Sequence, residues 1–337
     1  MSSPRAVVFG MAGLVLGPDE RRFFREANPL GFILFARNVE NPAQVRALVD
    51  DLRAAVGRAD APVLIDQEGG RVARLRPPHW RAALPAKVFG DLYVRDPARA
   101  REAARLNHRL LAGELAGLGI TVDCAPVLDV PVAGAHDVIG DRAFARDPAI
   151  VADLGRAACD GLLAGGVLPV IKHVPGHGRA RTDSHKELPT VDTSLVEMEA
   201  ADFVPFRSLR DAPWAMTAHV LYTALDRDRP ATISPIVIET VIRKHIGFDG
   251  VLVSDDIGMS ALRGDYRSRA ETSLRAGCDV VLHCSGDAAE MRAVAEGAGS
   301  LAPAAARRVA AAEGRRTKSI EPIEMARGLA VLDSLLA

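Results

Sequence analysis

Gly166-Val167-Leu168-Pro169-Val170-Ile171-Lys172-His173-Val174-Pro175-Gly176-His177-Gly178 is an apolar run that ends abruptly in polar and chain-breaking residues. The run is short, continuous and rich in branched side chains, which predicts a strand buried on both faces over 167–172. Pro175, Gly176 and Gly178 exclude a continuous helix just beyond it. Lys172, His173 and His177 therefore stand where a strand stops and a loop begins. Asp183-Ser184-His185 follows inside that loop, which runs without periodicity from about Gly176 to Ser194. Loops of that length inside compact domains are usually functional or disordered. Polar groups at such a junction belong more often to a site than to a core.

Working outward, the same alternation covers the 337 residues. Strands are predicted at 6–12, 31–36, 62–66, 119–124, 167–172, 214–219, 250–254 and 279–283. Amphipathic stretches such as 41–57, 96–118, 148–165 and 234–246 lie between them. Asn41-Pro42 and Ser234-Pro235 read as helix caps followed by proline in the first turn. Eight β units alternating with helices imply an α/β fold, a single (β/α)8 TIM-type barrel. A doubly wound sheet is the competing architecture, but no GxGxxG follows the first strand. No linker or repeat divides the chain, so 1–337 is read as one domain with closing helices near 286–337. Met1 to Gly17 loosely mimics a signal peptide. Glycines within its apolar run and the lack of an A-x-A site favour a first strand and its turn.

Hydrophobic residues at 48% and charged residues at 25% suit a soluble globular protein with a sizeable core. A net charge of -1 offers no basic surplus for nucleic acid. No apolar run reaches membrane-spanning length. Cys124, Cys159, Cys278 and Cys284 form no CxxC pair, which argues against a zinc ribbon or thiol redox site. They are read as reduced and buried, in a cytoplasmic protein.

Polar residues recur at the C-terminal ends of the expected strands: Asp66, Asp129, Lys172, His173, His219, Asp255, Asp256 and His283. Barrel active sites are built on that face from several strand ends. Of the neighbours Asp255 and Asp256, one can face the cleft while the other is held by backbone. Equally, both can cap a helix starting near Met259. His173 and His177 have the spacing of a helical metal pair, but Pro175 and Gly176 break that geometry, and the rings can simply order the loop. Asp183, two residues before His185, can orient its ring and raise its basicity. A solvated histidine fits that spacing as well. The acid and arginines of Asp66-Gln67-Glu68-Gly69-Gly70-Arg71-Val72-Ala73-Arg74 can grip sugar hydroxyls or a carboxylate, or form surface ion pairs. Arg142 offers the same choice.

Taken in order, several segments resemble motifs of glycoside hydrolase family 3, in particular its single-domain bacterial β-N-acetylglucosaminidases of cell-wall recycling. They are Gly31 to Asn38, Ile65 to Val72, Ala125 to Val130, Lys172 to Gly178, and Phe248 through Ser254-Asp255-Asp256. The likeness spans about residues 10–300. It implies that Asp255 is the nucleophile and that Asp183 and His185, on a mobile loop, are the acid/base. It also implies that Asp66, Arg74, Arg142, Lys172, His173 and Met259 bind the sugar. The implied substrate is a muropeptide, N-acetylglucosamine β-1,4-linked to 1,6-anhydro-N-acetylmuramic acid, with or without its peptide. The implied reaction passes through a covalent glycosyl-enzyme with retained configuration. Lys172 and Arg142 are expected to keep the Asp255 carboxyl ionised. Imidazoles in general titrate near pH ~6.5, which suits both donating and accepting a proton near neutrality. Neither metal nor cofactor is implied. The expected partner is a small carbohydrate, with no nucleic acid or membrane, and the chain is expected to be a monomer.

The chain departs from the family pattern in places. Val174 stands where phenylalanine is usual, Arg179 and Arg181 enter the lid, and Ile257-Gly258 replaces Leu-Ser before Met259. Beyond about residue 300 the likeness is poor. Three other readings stay open: a phosphorolytic N-acetylglucosaminidase, a metal-dependent barrel hydrolase using His173, His177, His219 and Asp255, and a non-catalytic sugar binder.

Overall fold

The computed structural model describes residues 3–317, 320 and 323–337. Its strands are β1 (Arg5–Phe9), β2 (Pro29–Leu34), β3 (Val63–Ile65), β4 (Val122–Asp123), β5 (Leu168–Val174), β6 (Thr190–Val191), β7 (Trp214–Thr217), β8 (Leu221–Tyr222), β9 (Val251–Asp256) and β10 (Val280–His283). Strands β6 and β8 pair with each other over the loop region. The other eight close into a barrel in the order β1-β10-β9-β7-β5-β4-β3-β2. Neighbouring strands in it run parallel. Each predicted strand is therefore present, and the architecture is the expected (β/α)8 barrel.

Period-two geometry explains why these strands read as continuous apolar runs. Ala6 and Val8, Val122 and Cys124, Leu168 and Val170, Trp214 and Met216, Val251 and Val253, and Val280 and Leu282 fill one interior cluster. The alternate residues, among them Val7, Phe9, Ile171, Leu252 and Val281, pack outward against the helices. Helix Pro303–Arg315 adds Ala305 and Ala312 to the interior cluster. Just before that helix, Leu301 N donates to Pro4 O at 2.8 Å, so it closes the end where the strands begin.

Helices Pro42–Val56, Pro97–Ala116, Pro148–Ala164 and Val237–Ile246 fall where the amphipathic stretches place them. The Asn41 side chain accepts from Gln44 N at 3.0 Å, and Ser234 Oγ accepts from Val237 N at 3.1 Å. Helices Ala288–Gly297, Pro303–Arg315 and Met325–Leu336 occupy the closing region; its residues 318, 319, 321 and 322 lie outside the described ones, as do residues 1 and 2 of the leader-like segment. The rest of that segment contributes β1, a core strand held between β2 and β10. One expectation fails. The helix read from Met259 onward starts at Tyr266, where Asp265 accepts from Ser268 N at 2.7 Å. Asp256 does bind the Gly258 N–H, but the chain then stays in turns as far as Gly264.

All four cysteines are unpaired and buried. Among the described residues, no helix is long and apolar enough to cross a membrane.

Candidate active site

A cavity of about 560 Å³ opens at the C-terminal end of the barrel. Its floor continues the inward-facing rows. Val170 is followed two residues on by Lys172, Trp214 by Met216, Val253 by Asp255, and Leu282 by Cys284, and these upper members all line the cavity. Parity along β9 thus turns the Asp255 side chain inward.

The charged floor is organised by Lys172. Its Nζ lies 2.8 Å from Asp66 Oδ1 and 2.6 Å from Glu68 Oε1. Arg142 forks onto the same Glu68 through Nε and Nη2, both at 2.8 Å. Arg74 Nη2 reaches Asp66 Oδ2 at 3.2 Å. Between the two acids, Gln67 turns away. Its Oε1 accepts the N–H groups of Arg74 and Leu75 at 2.8 and 3.0 Å, which fixes the segment that presents Arg74. Burial pushes the Glu68 carboxyl up, but Lys172 and Arg142 outweigh it and hold it down at about 2. Asp66 is held below its usual range by the same contest between burial and the charges of Lys172 and Arg74.

These shifts set an acid limit. Because the folded chain holds Glu68 at about 2 and an unperturbed glutamate titrates at 4.5, the unfolded chain binds more protons between those values. The stability this provides is complete above pH 4.5 and drains as pH falls toward 2. Burial, with His173 next, pulls His177 down to about 4 from 6.5, so acidification below pH 6.5 acts in the same direction. The melting temperature should therefore fall continuously from pH 6.5 downward, and Glu68→Gln should flatten the slope below pH 4.5. A wild-type melting temperature constant down to pH 3 would contradict this assignment.

Asp129 organises the next layer. Its Oδ2 lies 2.7 Å from His173 Nδ1. Its Oδ1 accepts the N–H groups of His173 and His177 at 3.2 and 2.6 Å. This pairing assigns the His173 Nδ1 proton to the Asp129 bond and leaves Nε2 for the cavity. The two imidazoles sit edge to face, 5.6 Å apart.

Asp255 accepts the Asp256 N–H at 2.8 Å. Burial opposes its charge, but His219, His173, that N–H and His185 across the cavity outweigh it, and the carboxyl lies below its usual range. The expected support from Lys172 and Arg142 is not what the structure shows, because both are engaged by Asp66 and Glu68. Asp256 is held by backbone, accepting from Gly258 N at 2.9 Å and Cys284 N at 3.2 Å. Behind the pair, His219 uses both ring nitrogens, Nδ1 at 2.7 Å from Thr232 Oγ1 and Nε2 at 2.9 Å from the Asp256 carbonyl.

The loop after β5 crosses the mouth. A Cβ on Gly178 would meet Val130 O at 2.1 Å, so only glycine lets the chain pass so close. Arg179 Nε is 2.6 Å from the buried Asp202 Oδ2, anchoring the root of the loop. Further on, Asp183 Oδ1 accepts both the His185 N–H at 3.0 Å and the Nδ1 position of its ring at 2.9 Å. Burial works against the Asp183 charge, yet those two contacts and nearby His136 hold its carboxyl down. The His185 side chain is 68% exposed, leaving Nε2 directed away from Asp183. Ser184, between the two, is buried and 3.4 Å from His177 Nε2.

All the side chains expected at the site line this one cavity: Asp255, Asp183 and His185 with Asp66, Arg74, Arg142, Lys172, His173 and Met259. His219 and His283, also at strand ends, do not; His283 is buried, with Nε2 3.0 Å from Ser285 Oγ. Glu68, Gln67 and Asp129 proved more central than the sequence suggested. A signal for Glu68 was present, since residues two apart at a strand end share a face with Asp66. The metal reading loses its ligand set: His219 has no free nitrogen, and no group of three or more His, Cys, Asp or Glu among the described residues is placed to share an ion.

A carboxylate at a strand end, with an Asp–His pair on a loop lining the same barrel cavity, stands on the face where barrel enzymes carry their active sites. Residues 19–315 match the sequence model of the glycosyl hydrolase family 3 N terminal domain. The chain belongs to that family. A β-hexosaminidase of Alkalilimnicola ehrlichii is 41% identical over 283 residues, covering 83% of this chain and 80% of its own. Another, from Bordetella avium, is 40% identical over 288 residues, 84% and 81% of the two chains. The crystal structure of NagZ from Neisseria gonorrhoeae aligns with a TM-score of 0.88 at 32% identity, over 99% of this chain and 98% of that one. NagZ from the same organism has also been solved in complex with N-trifluoroacetyl-D-glucosamine, again with a TM-score of 0.88.

Proposed function

We propose that the chain is a retaining β-N-acetylhexosaminidase that removes terminal non-reducing N-acetylglucosamine from muropeptides. The substrate is N-acetylglucosamine β-1,4-linked to 1,6-anhydro-N-acetylmuramic acid, with or without its peptide. The observation that carries the reading is that Asp255 and the Asp183–His185 pair line one cavity. The β-hexosaminidase relatives, and NagZ with an N-acylated glucosamine, support the sugar class.

In this mechanism Asp255 attacks C1 as the bond to the leaving oxygen breaks, and protonated His185 gives that oxygen its proton. A glycosyl ester on Asp255 results. Neutral His185 then takes a proton from water, the water attacks C1, and Asp255 leaves with its electron pair. Two displacements retain the configuration. Asp66, Arg74, Arg142, Lys172, His173 and Met259 hold the sugar, and the loop closes to deliver His185. The proposal takes 1–337 as one catalytic domain, monomeric and free of metal or cofactor. The unpaired buried cysteines favour the cytoplasm.

Hydrolysis of p-nitrophenyl N-acetyl-β-glucosaminide, beside the corresponding β-glucoside, tests the reading. Activity confined to the acetamido sugar supports it, and preference for the plain glucoside sinks it. Running the assay in phosphate distinguishes the phosphorolytic alternative, since an imidazole acid/base does not repel a phosphate anion as a carboxylate would. Accumulation of N-acetylglucosamine 1-phosphate would transfer the conclusion to that reaction.

A further inference from the structure

His177 is a buried titratable group that the proposed mechanism leaves unused. Its ring lines the active-site cavity. Burial, with His173 next, pulls it down to about 4, so it is neutral near pH ~7. Its mount is firm. The His177 N–H donates to Asp129 Oδ1 at 2.6 Å, on the acid whose Oδ2 holds the His173 ring. Just before it, Tyr222 Oη donates to Gly176 O at 2.8 Å. Just after it, Gly178 lies against the Val130 backbone. Nδ1 is buried without a hydrogen-bond partner. The ring's one hydrogen bond among the described residues is therefore at Nε2, 3.4 Å from Ser184 Oγ.

The loop that Ser184 belongs to is tied down at both ends. At its root Val132 N donates to Gly178 O at 3.2 Å and His136 N to Ala180 O at 2.9 Å. At its far end Leu221 N donates to Pro189 O at 2.9 Å, and β6 pairs with β8. Of residues 181–188 between these ties, Ser184 alone is buried. Its bond to His177 is the one hydrogen bond from that stretch to the rest of the chain, among the described residues. Asp183 and His185 flank it and bond each other around it. Where Ser184 is seated thus sets where the pair stands. A proton donor must come within hydrogen-bond reach of the leaving oxygen, and a displacement of about 1 Å can cost ~100-fold in rate.

We infer that His177, acting through Ser184, is a positioning residue for the acid/base pair: the Nε2–Oγ contact seats the middle of the loop and so places His185. The inference rests on the proposed function and deepens it, because it names what holds the acid over the cavity. The test measures kcat/KM for an N-acetylglucosamine disaccharide, whose leaving oxygen needs a proton, and for dinitrophenyl N-acetyl-β-glucosaminide, whose leaving group does not. The enzymes are the wild type, Ser184→Ala, His177→Leu, His177→Gln, the Ser184→Ala/His177→Leu double variant and His185→Ala. Ser184→Ala and His177→Leu should each lower kcat/KM for the disaccharide by about tenfold or more, with little change for the dinitrophenyl glycoside. The double variant should be no worse than the worse single one, because the same contact is lost once. His177→Gln should recover most of the loss, since its amide can offer a donor or an acceptor in place of Nε2. Wild-type activity of Ser184→Ala on the disaccharide overturns the inference. So does an equal loss on both substrates, which would make the contact structural only, and so do losses that multiply in the double variant. If His185→Ala itself treats the two substrates alike, the proposed function falls instead.

Discussion

Asp255→Ala should lower kcat on p-nitrophenyl N-acetyl-β-glucosaminide by about 10⁴-fold or more, the scale seen when a covalent nucleophile is removed. The carboxylate lines the cavity and is held in its charged form by surrounding imidazoles and the Asp256 N–H. Without it, C1 has no internal group to accept it. The chain should otherwise stay folded, because Asp255 makes no ion pair with the Lys172 network. A small external anion such as azide should enter the vacated space and attack C1 directly. That single displacement inverts the centre, so the product should be the α-glycosyl azide. A β-azide, or a variant that keeps its activity, would remove Asp255 from the nucleophile role. Asp256→Asn serves as the control. Its carboxylate is spent on the Gly258 and Cys284 N–H groups, so the loss should be far smaller.

His185→Ala should divide substrates by their leaving group. Where the leaving oxygen needs a proton, as in a natural disaccharide, the rate should fall by about 10²–10⁴-fold. Where the leaving group is acidic, as in a dinitrophenyl glycoside, formation of the glycosyl-enzyme should hardly change and its hydrolysis should become limiting. A burst of dinitrophenol ahead of a slow steady state would report this directly. Asp183→Asn should produce a milder version of the same pattern, because Asp183 both accepts from the ring and binds the His185 N–H. A uniform loss on both substrates would mean that His185 only shapes the loop.

Much of the site was legible because barrel strands count in twos. The rows Val251, Val253, Asp255 and Leu168, Val170, Lys172 can be followed in the sequence, and the structure turns each row inward. The eight apolar runs marked the strands for the same reason, since parallel strands covered on both faces leave no polar alternation. The partners of those charged groups could not be read that way. Lys172 and Asp66 are 106 residues apart, and Arg142 and Glu68 are 74 apart. Sequence reasoning joined Lys172 and Arg142 to Asp255, and the structure gives both cations to other acids.

Local pattern by itself determined the barrel and the strand ends that bear polar groups, because strand parity and hydrophobic burial act over a few residues; only the resemblance to family motifs singled out Asp255 from its neighbour. Only the tertiary structure decided that Glu68 anchors the floor, that Asp129 orients His173, and that a second hollow opens beside the active-site cavity. Each of these depends on side chains brought together from distant strands, where charge is matched by proximity in space and not by spacing along the chain.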